Sequence, residues 1–194
     1  DGDLDLLIGT LQTKDFIGWY ANTNGIFSTT PTIISNTIDG AKQFSVADID
    51  GDGDPDIAVT LVYDDKIVWY ENIDGLGNFG SEQLIIEANG TYSVFITDID
   101  GDGDQDLLAT FIDSDIIAWY PNLDGRGNFG DQIIISQNMD GPLSICANDL
   151  DGDGDFDLVV ASMLDDSIKW FENTDGNFDS GTLLVTIGQT ARFV

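Results

Sequence analysis

The chain has 194 residues, with 36 Asp and Glu against 6 Lys and Arg, a formal charge of −30, and no His. A surface this acidic repels phosphate backbones and anionic bilayers, which argues against nucleic acid as a partner and against membrane adsorption. Without His, a Ser-His-Asp triad, His-ligated zinc and a His general base are excluded, and the single Cys provides no disulfide framework. No apolar run is long enough to span a bilayer. The sequence opens at Asp1 without Met or a signal peptide, as expected of a processed product or of a window from a longer chain. Apolar residues are 42% and aromatics 10%, enough for a packed core. Glu occurs only at Glu71, Glu82, Glu87 and Glu172; every other acid is Asp, the short carboxylate favoured in turns and by hard cations.

Read in chain order, the sequence repeats itself. The first unit opens on an Asp/Gly run, Asp1 to Asp5, then an apolar stretch, Leu6 to Ile8, the string Ile17-Gly18-Trp19-Tyr20-Ala21-Asn22, and a second apolar pair, Ile33-Ile34. The second unit adds an alternating stretch, Phe44-Ser45-Val46, before its Asp/Gly run. It continues with Ile57 to Leu61, Ile67 to Asn72, a Gly/Asn turn from Asp74 to Phe79, and Leu84 to Ile86. The third repeats this order with Val94-Phe95-Ile96, Leu107 to Phe111, Ile117 to Asn122, Asp124 to Phe129 and Ile133 to Ile135. The fourth has Ile145-Cys146-Ala147, Leu158 to Ala161, Ile168 to Asn173, Asp175 to Phe178 and Leu183 to Val185. Trp19, Trp69, Trp119 and Trp170 mark a period of about 50 residues.

Each unit thus offers four short stretches rich in β-branched and aromatic residues, bounded by Gly, Asn and Asp, with no sustained helical period. The expected fold is all-β: a β-propeller of four-stranded blades of about 50 residues each, stacked because one blade cannot bury both faces alone. A β-solenoid usually has shorter repeats, and a β-sandwich would not repeat so strictly. The single repeat domain divides into units at approximately 1–40, 41–90, 91–141 and 142–194, the first and last incomplete. The chain begins inside an Asp/Gly run and stops inside the stretch that precedes such a run. Either the last strand completes the first blade and closes a ring, or the four units belong to a larger propeller or assembly. The small size of a four-blade ring favours the second.

The three full runs, Asp48 to Asp56, Asp98 to Asp106 and Asp149 to Asp157, all read D-x-D-x-D-G-x-x-D. Carboxylates at positions 1, 3, 5 and 9, a Gly at position 6 for the bend and a carbonyl at position 7 make an oxygen cage for a hard cation, spaced like the start of an EF-hand loop. An EF-hand is excluded: its position 12 falls on Val59, Ala109 or Val160 instead of Glu. Five clustered Asp per run would repel one another, and a divalent ion relieves that repulsion; calcium suits a flexible, many-ligand loop better than magnesium. The bland alternative is a set of solvated Asx-turns.

The run D-x-D-G-D-G-x-x-D followed by an apolar strand, W-Y-x-N and G-x-G-x-F resembles the FG-GAP/VCBS repeat, the unit of calcium-binding propellers in integrin α subunits and many secreted proteins. The resemblance implies calcium ligands at Asp48, Asp50, Asp52, Asp54 (by its carbonyl) and Asp56 in the first full loop. It implies Asp98, Asp100, Asp102, Asp104 and Asp106 in the next, and Asp149, Asp151, Asp153, Asp155 and Asp157 in the last. Asp1, Asp3 and Asp5 form a partial fourth loop that needs another segment to complete it.

Other features carry competing readings. The Trp-Tyr pairs are expected to be inter-blade core, one member facing each neighbour, against a role as sugar-stacking platforms. Asn22, Asn72, Asn122 and Asn173 are expected to set the turn that follows. Cys146 is expected to be a buried free thiol. Asn89, in Asn89-Gly90-Thr91, is a candidate glycosylation site. Asp64-Asp65 and Asp165-Asp166 could suggest glycosidase carboxylates, but short turns explain them better. The functional expectation is a non-catalytic extracellular calcium-binding repeat module for adhesion or structural assembly, with protein partners. The alternatives are a calcium-dependent lectin, with a glycan partner, and the propeller domain of a polysaccharide-degrading enzyme.

Overall fold

The computed structural model describes residues 2–11 and 16–186. All regular structure among them is β-strand, arranged as antiparallel sheets. The first unit contains β1 (Leu6–Gly9), β2 (Ile17–Tyr20), the short ribbon β3 (Asn22–Thr23) and β4 (Ile26–Phe27), and β5 (Thr32–Ser35). The second contains β6 (Ala41–Ala47), β7 (Asp56–Leu61), β8 (Lys66–Tyr70) and β9 (Gln83–Glu87). The third contains β10 (Thr91–Thr97), β11 (Asp106–Phe111), β12 (Ile116–Tyr120) and β13 (Ile133–Ser136). The fourth contains β14 (Pro142–Asn148), β15 (Asp157–Ser162), β16 (Ser167–Phe171), the ribbon β17 (Asn173–Thr174) and β18 (Asn177–Phe178), and β19 (Thr182–Thr186).

Units two, three and four are four-stranded meanders in the orders β6-β7-β8-β9, β10-β11-β12-β13 and β14-β15-β16-β19; the first is three-stranded, β1-β2-β5. The expectation of four strands per unit therefore holds in three units. In the first unit, no strand pairs with the outer edge of β1 among the described residues. The sheets stack in chain order, but no closed ring is seen among those residues.

Stacking follows from the strand period. Alternate residues of a strand point to opposite faces, so the central strands, β7, β11 and β15, are apolar on both. Ala58, Ile67 and Trp69 of the second unit pack against Val94, Leu107 and Tyr120 of the third. Leu108, Ile117 and Trp119 of the third pack against Ile145, Leu158 and Phe171 of the fourth. Tyr70 joins Ile17 at the first junction. Trp19, Trp69 and Trp119 therefore face the following unit and Tyr70, Tyr120 and Phe171 the preceding one, as the pairing in W-[YF] leads one to expect. The junctions demand glycine at one point: Gly77 and Gly127 have φ of 83° and 76°, and the rings of Trp19 and Trp69 lie where a Cβ would stand.

The turns between second and third strands use Asp65, Asp115 and Asp166 in the left-handed region, at φ 52°, 60° and 53°. Asp65 Oδ1 accepts the Gly90 N–H at 3.0 Å and Asp115 Oδ1 the Gly141 N–H at 2.8 Å, so these turns also hold the start of the next unit. A turn role for Asp64-Asp65 and Asp165-Asp166 accords with this geometry; Asp165 accepts hydrogen bonds from Ser162 and Ser167. Cys146 is a free, part-buried thiol on β14, its pKa raised by burial.

Candidate metal centres

Each full Asp loop joins the first and second strands of its unit, and its hydrogen bonds are local and repetitive. In the first, Asp48 Oδ1 accepts the Gly51 N–H (2.9 Å) and its Oδ2 the Gly53 N–H (3.0 Å), while Asp50 and Asp52 accept the N–H groups of Asp52 and Asp54. In the second, Asp98 accepts from Gly101 (2.8 Å) and Gly103 (3.0 Å), with the same steps at Asp100 and Asp102. Gly53 and Gly103 carry φ of 97° and 98°, which a side chain would strain.

The ninth-position aspartates lie on the strands and are buried. Asp56 accepts the N–H of Ile49 (2.9 Å) and of Asn72 (2.8 Å). Asp106 accepts from Ile99 (3.2 Å) and Asn122 (2.8 Å), and Asp157 from Leu150 (3.2 Å) and Asn173 (2.9 Å). They pin the loop to the end of the third strand. Burial pushes the Asp56 carboxyl up to about 6 and the Asp106 carboxyl to about 7, against hydrogen bonds from the backbone that pull the other way, with nearby loop carboxylates adding to the rise. Asp50 and Asp100 are raised too, first by burial.

Carboxylate oxygens converge in all three full loops: Asp48, Asp50 and Asp56; Asp98, Asp100 and Asp106; and, with the fifth position in place of the ninth, Asp149, Asp151 and Asp153, each set within 4.8 Å. Lys66 makes the only salt bridges among the described residues, to Asp64 and Glu82, so among those residues no side-chain cation pairs with these carboxylates. The donors are all oxygen and anionic. Such a set fits a hard divalent cation and is compatible with calcium. Asp52, Asp54, Asp102, Asp104, Asp155 and Asp157 lie outside the three converging sets. Asp155 Oδ2 accepts the N–H of Asp175 at 2.7 Å. In the partial loop, Asp5 Oδ1 accepts the Asn22 N–H (2.7 Å) and Asp3 Oδ2 the Asn24 N–H (2.6 Å), the places that Asp56 and Asp54 hold in their unit; Asp1 lies outside the described residues.

A profile of the FG-GAP-like repeat matches residues 1–59 and 98–160, more than half of the sequence. The chain belongs to the FG-GAP-like repeat family. No curated protein matches it in sequence.

Sequence reasoning found half of the role of Asn in these FG-GAP-like repeats. Asn72 and Asn122 do set the following turn, accepting the N–H of Gly77 (3.0 Å) and Gly127 (3.1 Å). Their side-chain amides do a second thing. Asn122 Nδ2 donates to the carbonyl of Ile49 (2.9 Å), inside the Asp loop of the preceding unit, and Asn173 Nδ2 to Ile99 (3.0 Å) in the same way. The third and fourth repeats therefore clamp the loop before them. The only sequence signal was the recurrence of Asn after W-[YF]-x.

Proposed function

We propose that the chain is a non-catalytic, extracellular repeat module for adhesion or structural assembly, built of β-propeller-type blades whose Asp loops are stabilised by calcium. The observation that carries this reading is the convergence of three carboxylates within 4.8 Å at three equivalent loops of an FG-GAP-like repeat. Calcium would be held by Asp48, Asp50 and Asp56, by Asp98, Asp100 and Asp106, and by Asp149, Asp151 and Asp153, with Asp52, the Asp54 carbonyl and the remaining loop aspartates completing the shells as the family pattern implies. The ion supplies positive charge where the fold concentrates negative charge, so binding is coupled to folding.

Sites of this kind with a dissociation constant of ~0.1 mM fill at the ~1 mM calcium of extracellular fluid and each adds about 1.4 kcal/mol, about 4 kcal/mol for three. This calcium range supports an outside location. No helix among the described residues is long and apolar enough to cross a membrane. Asn89 is exposed in the turn before β10 and would carry a glycan in a secreted eukaryotic form. The burial of Trp69, Tyr70, Trp119 and Tyr120 between sheets argues against sugar stacking at those two pairs. Near-identical loops favour repetition over a single reactive centre, which supports the non-catalytic reading.

Calcium uptake by equilibrium dialysis, together with thermal melts in calcium and in excess EDTA, tests the proposal. The expected result is three ions per chain and a melting temperature about 10 °C lower in EDTA. No uptake and an unchanged melt would overturn it.

A further inference from the structure

The buried aspartates at the ninth loop position are joined to one another by a path of hydrogen bonds. Asp56 Oδ2 accepts the Ile49 N–H (2.9 Å), and the Ile49 carbonyl accepts the Asn122 side-chain amide (2.9 Å). The Asn122 backbone N–H is in turn accepted by Asp106 Oδ1 (2.8 Å). Two residues therefore bridge carboxylates that belong to two different converging sets. The path continues from the other Asp106 oxygen through the Ile99 N–H and carbonyl to Asn173 Nδ2, and from the Asn173 N–H to Asp157. Ile49, Asn122, Ile99 and Asn173 are 0%, 1%, 2% and 0% exposed, so water does not compete for these bonds.

A second contact runs beside the first. The Gly125 carbonyl lies against Gly51 of the preceding loop, and the Asp104 carboxylate of its own loop occupies the place where a Cβ on Gly125 would stand. The turn that follows Asn122 thus touches both loops.

An ion in 48–56 draws Asp48, Asp50 and Asp56 together. Ile49 stands between the first two and is bonded to the third, so its peptide becomes fixed. A fixed carbonyl holds the Asn122 amide, and a held Asn122 holds Asp106. The ordering cost met at one loop is then not met again at the next, which is positive coupling without a change of shape. Coulomb repulsion between the two ions acts in the opposite direction.

We propose that Asn122 couples the two loops, so that calcium in 48–56 raises the calcium affinity of 98–106 and, by reciprocity, the converse. Asn122 is a positioning residue: each loop keeps its own donors and fills by itself, and the coupling changes affinity. The loop at 149–157 responds weakly, because Asp157 lies outside its converging set. The inference rests on the calcium reading and adds the regulation of its sites.

Asp50→Ala, at a part-exposed position, empties 48–56 and tests this. In site-resolved NMR titrations with calcium, binding at 98–106 should weaken about fivefold, while binding at 149–157 stays nearly unchanged. The emptied loop carries one more negative charge than the filled native loop, so charge alone gives tighter binding at 98–106, the opposite sign. In an Asn122→Ala background, Asp50→Ala should no longer alter 98–106. A further readout needs no second variant: in saturating calcium the Asn122 side-chain amide protons should exchange with solvent about tenfold more slowly in the native chain than in the Asp50→Ala chain. Unchanged or tighter binding at 98–106, an equal loss with Ala at position 122, or equal exchange of the Asn122 amide overturns the proposal. Uptake of three ions by the native chain with none of these effects sinks this inference alone; no uptake at any loop sinks the calcium reading with it.

Discussion

The loops at 98–106 and 149–157 share one sequence pattern but do not share one geometry. In the earlier loop, Asp98, Asp100 and the buried strand residue Asp106 converge, and Asp98 accepts from both Gly101 and Gly103. In the later loop the converging set is Asp149, Asp151 and Asp153; Asp149 accepts from Gly152 (2.7 Å), and among the described residues no bond from Gly154 matches that of Gly103 to Asp98. The difference lies in what comes next. Ile99 is covered by the fourth unit and its carbonyl is clamped by Asn173, whereas Leu150, at the same place, is 49% exposed. Where a neighbouring sheet covers the loop, as at 98–106, the loop is held before any ion arrives; at 149–157, among the described residues, no neighbouring sheet does so. Preorganisation of this sort raises affinity by lowering the ordering cost of binding.

The largest expected effect sharpens this contrast. Asp106→Ala strands the N–H groups of Ile99 and Asn122 and should cost about 3 kcal/mol of stability even in chelator. Asp153→Ala, at an exposed position of the later loop, should cost under about 0.5 kcal/mol under the same conditions. Denaturant unfolding of both variants in EDTA checks this, and equal losses would break the comparison. Asn122→Ala should follow, with about 1–2 kcal/mol lost and weaker calcium binding at the loop it clamps, 48–56, while the other loops keep theirs. Site-resolved calcium titration by NMR reads this out; unaltered binding at 48–56 would remove the clamp from the account. Asp100→Ala should abolish one ion of the three, a loss of about 1.4 kcal/mol in ~1 mM calcium, and a simultaneous loss at all loops would contradict a separate donor set in each loop.

The remaining expected effect is the pH dependence. Asp56 and Asp106 hold their protons more tightly in the folded chain, to about 6 and 7, than the ordinary 3.8 of an unfolded Asp. The metal-free fold is therefore favoured by protonation and loses stability as pH rises from about 4 to about 7. Calcium takes the place of the protons, so the gap between melts in calcium and in EDTA should widen over that window. A constant gap would show that these carboxylates do not respond to the ion.

Several features were legible in the sequence because they are local. The stretches that became β7, β11 and β15 announced themselves by β-branched residues between Asp/Gly punctuation, and the W-[YF] pair predicted its own division between two faces because strand residues alternate. The spacing of Asp48, Asp50 and Asp56 carried their convergence, since a Gly-bent loop returns the ninth residue towards the first. The Asn clamp was not legible. Asn122 and Ile49 are 73 residues apart, and nothing in I-x-W-Y-x-N separates an Asn that only makes a turn from one that also reaches a neighbouring sheet. The three-stranded first sheet was legible, since the first unit lacks the alternating stretch that precedes the Asp/Gly run in the others.

By itself the sequence determined the repeat, the strand character of each segment and the all-oxygen chemistry of the loops, because each depends on residues within one turn or one strand. Only the tertiary structure decided which Asp loops are braced. Bracing depends on a surface that the neighbouring sheet provides, through its Asn amide and the apolar face laid against Ile49 or Ile99.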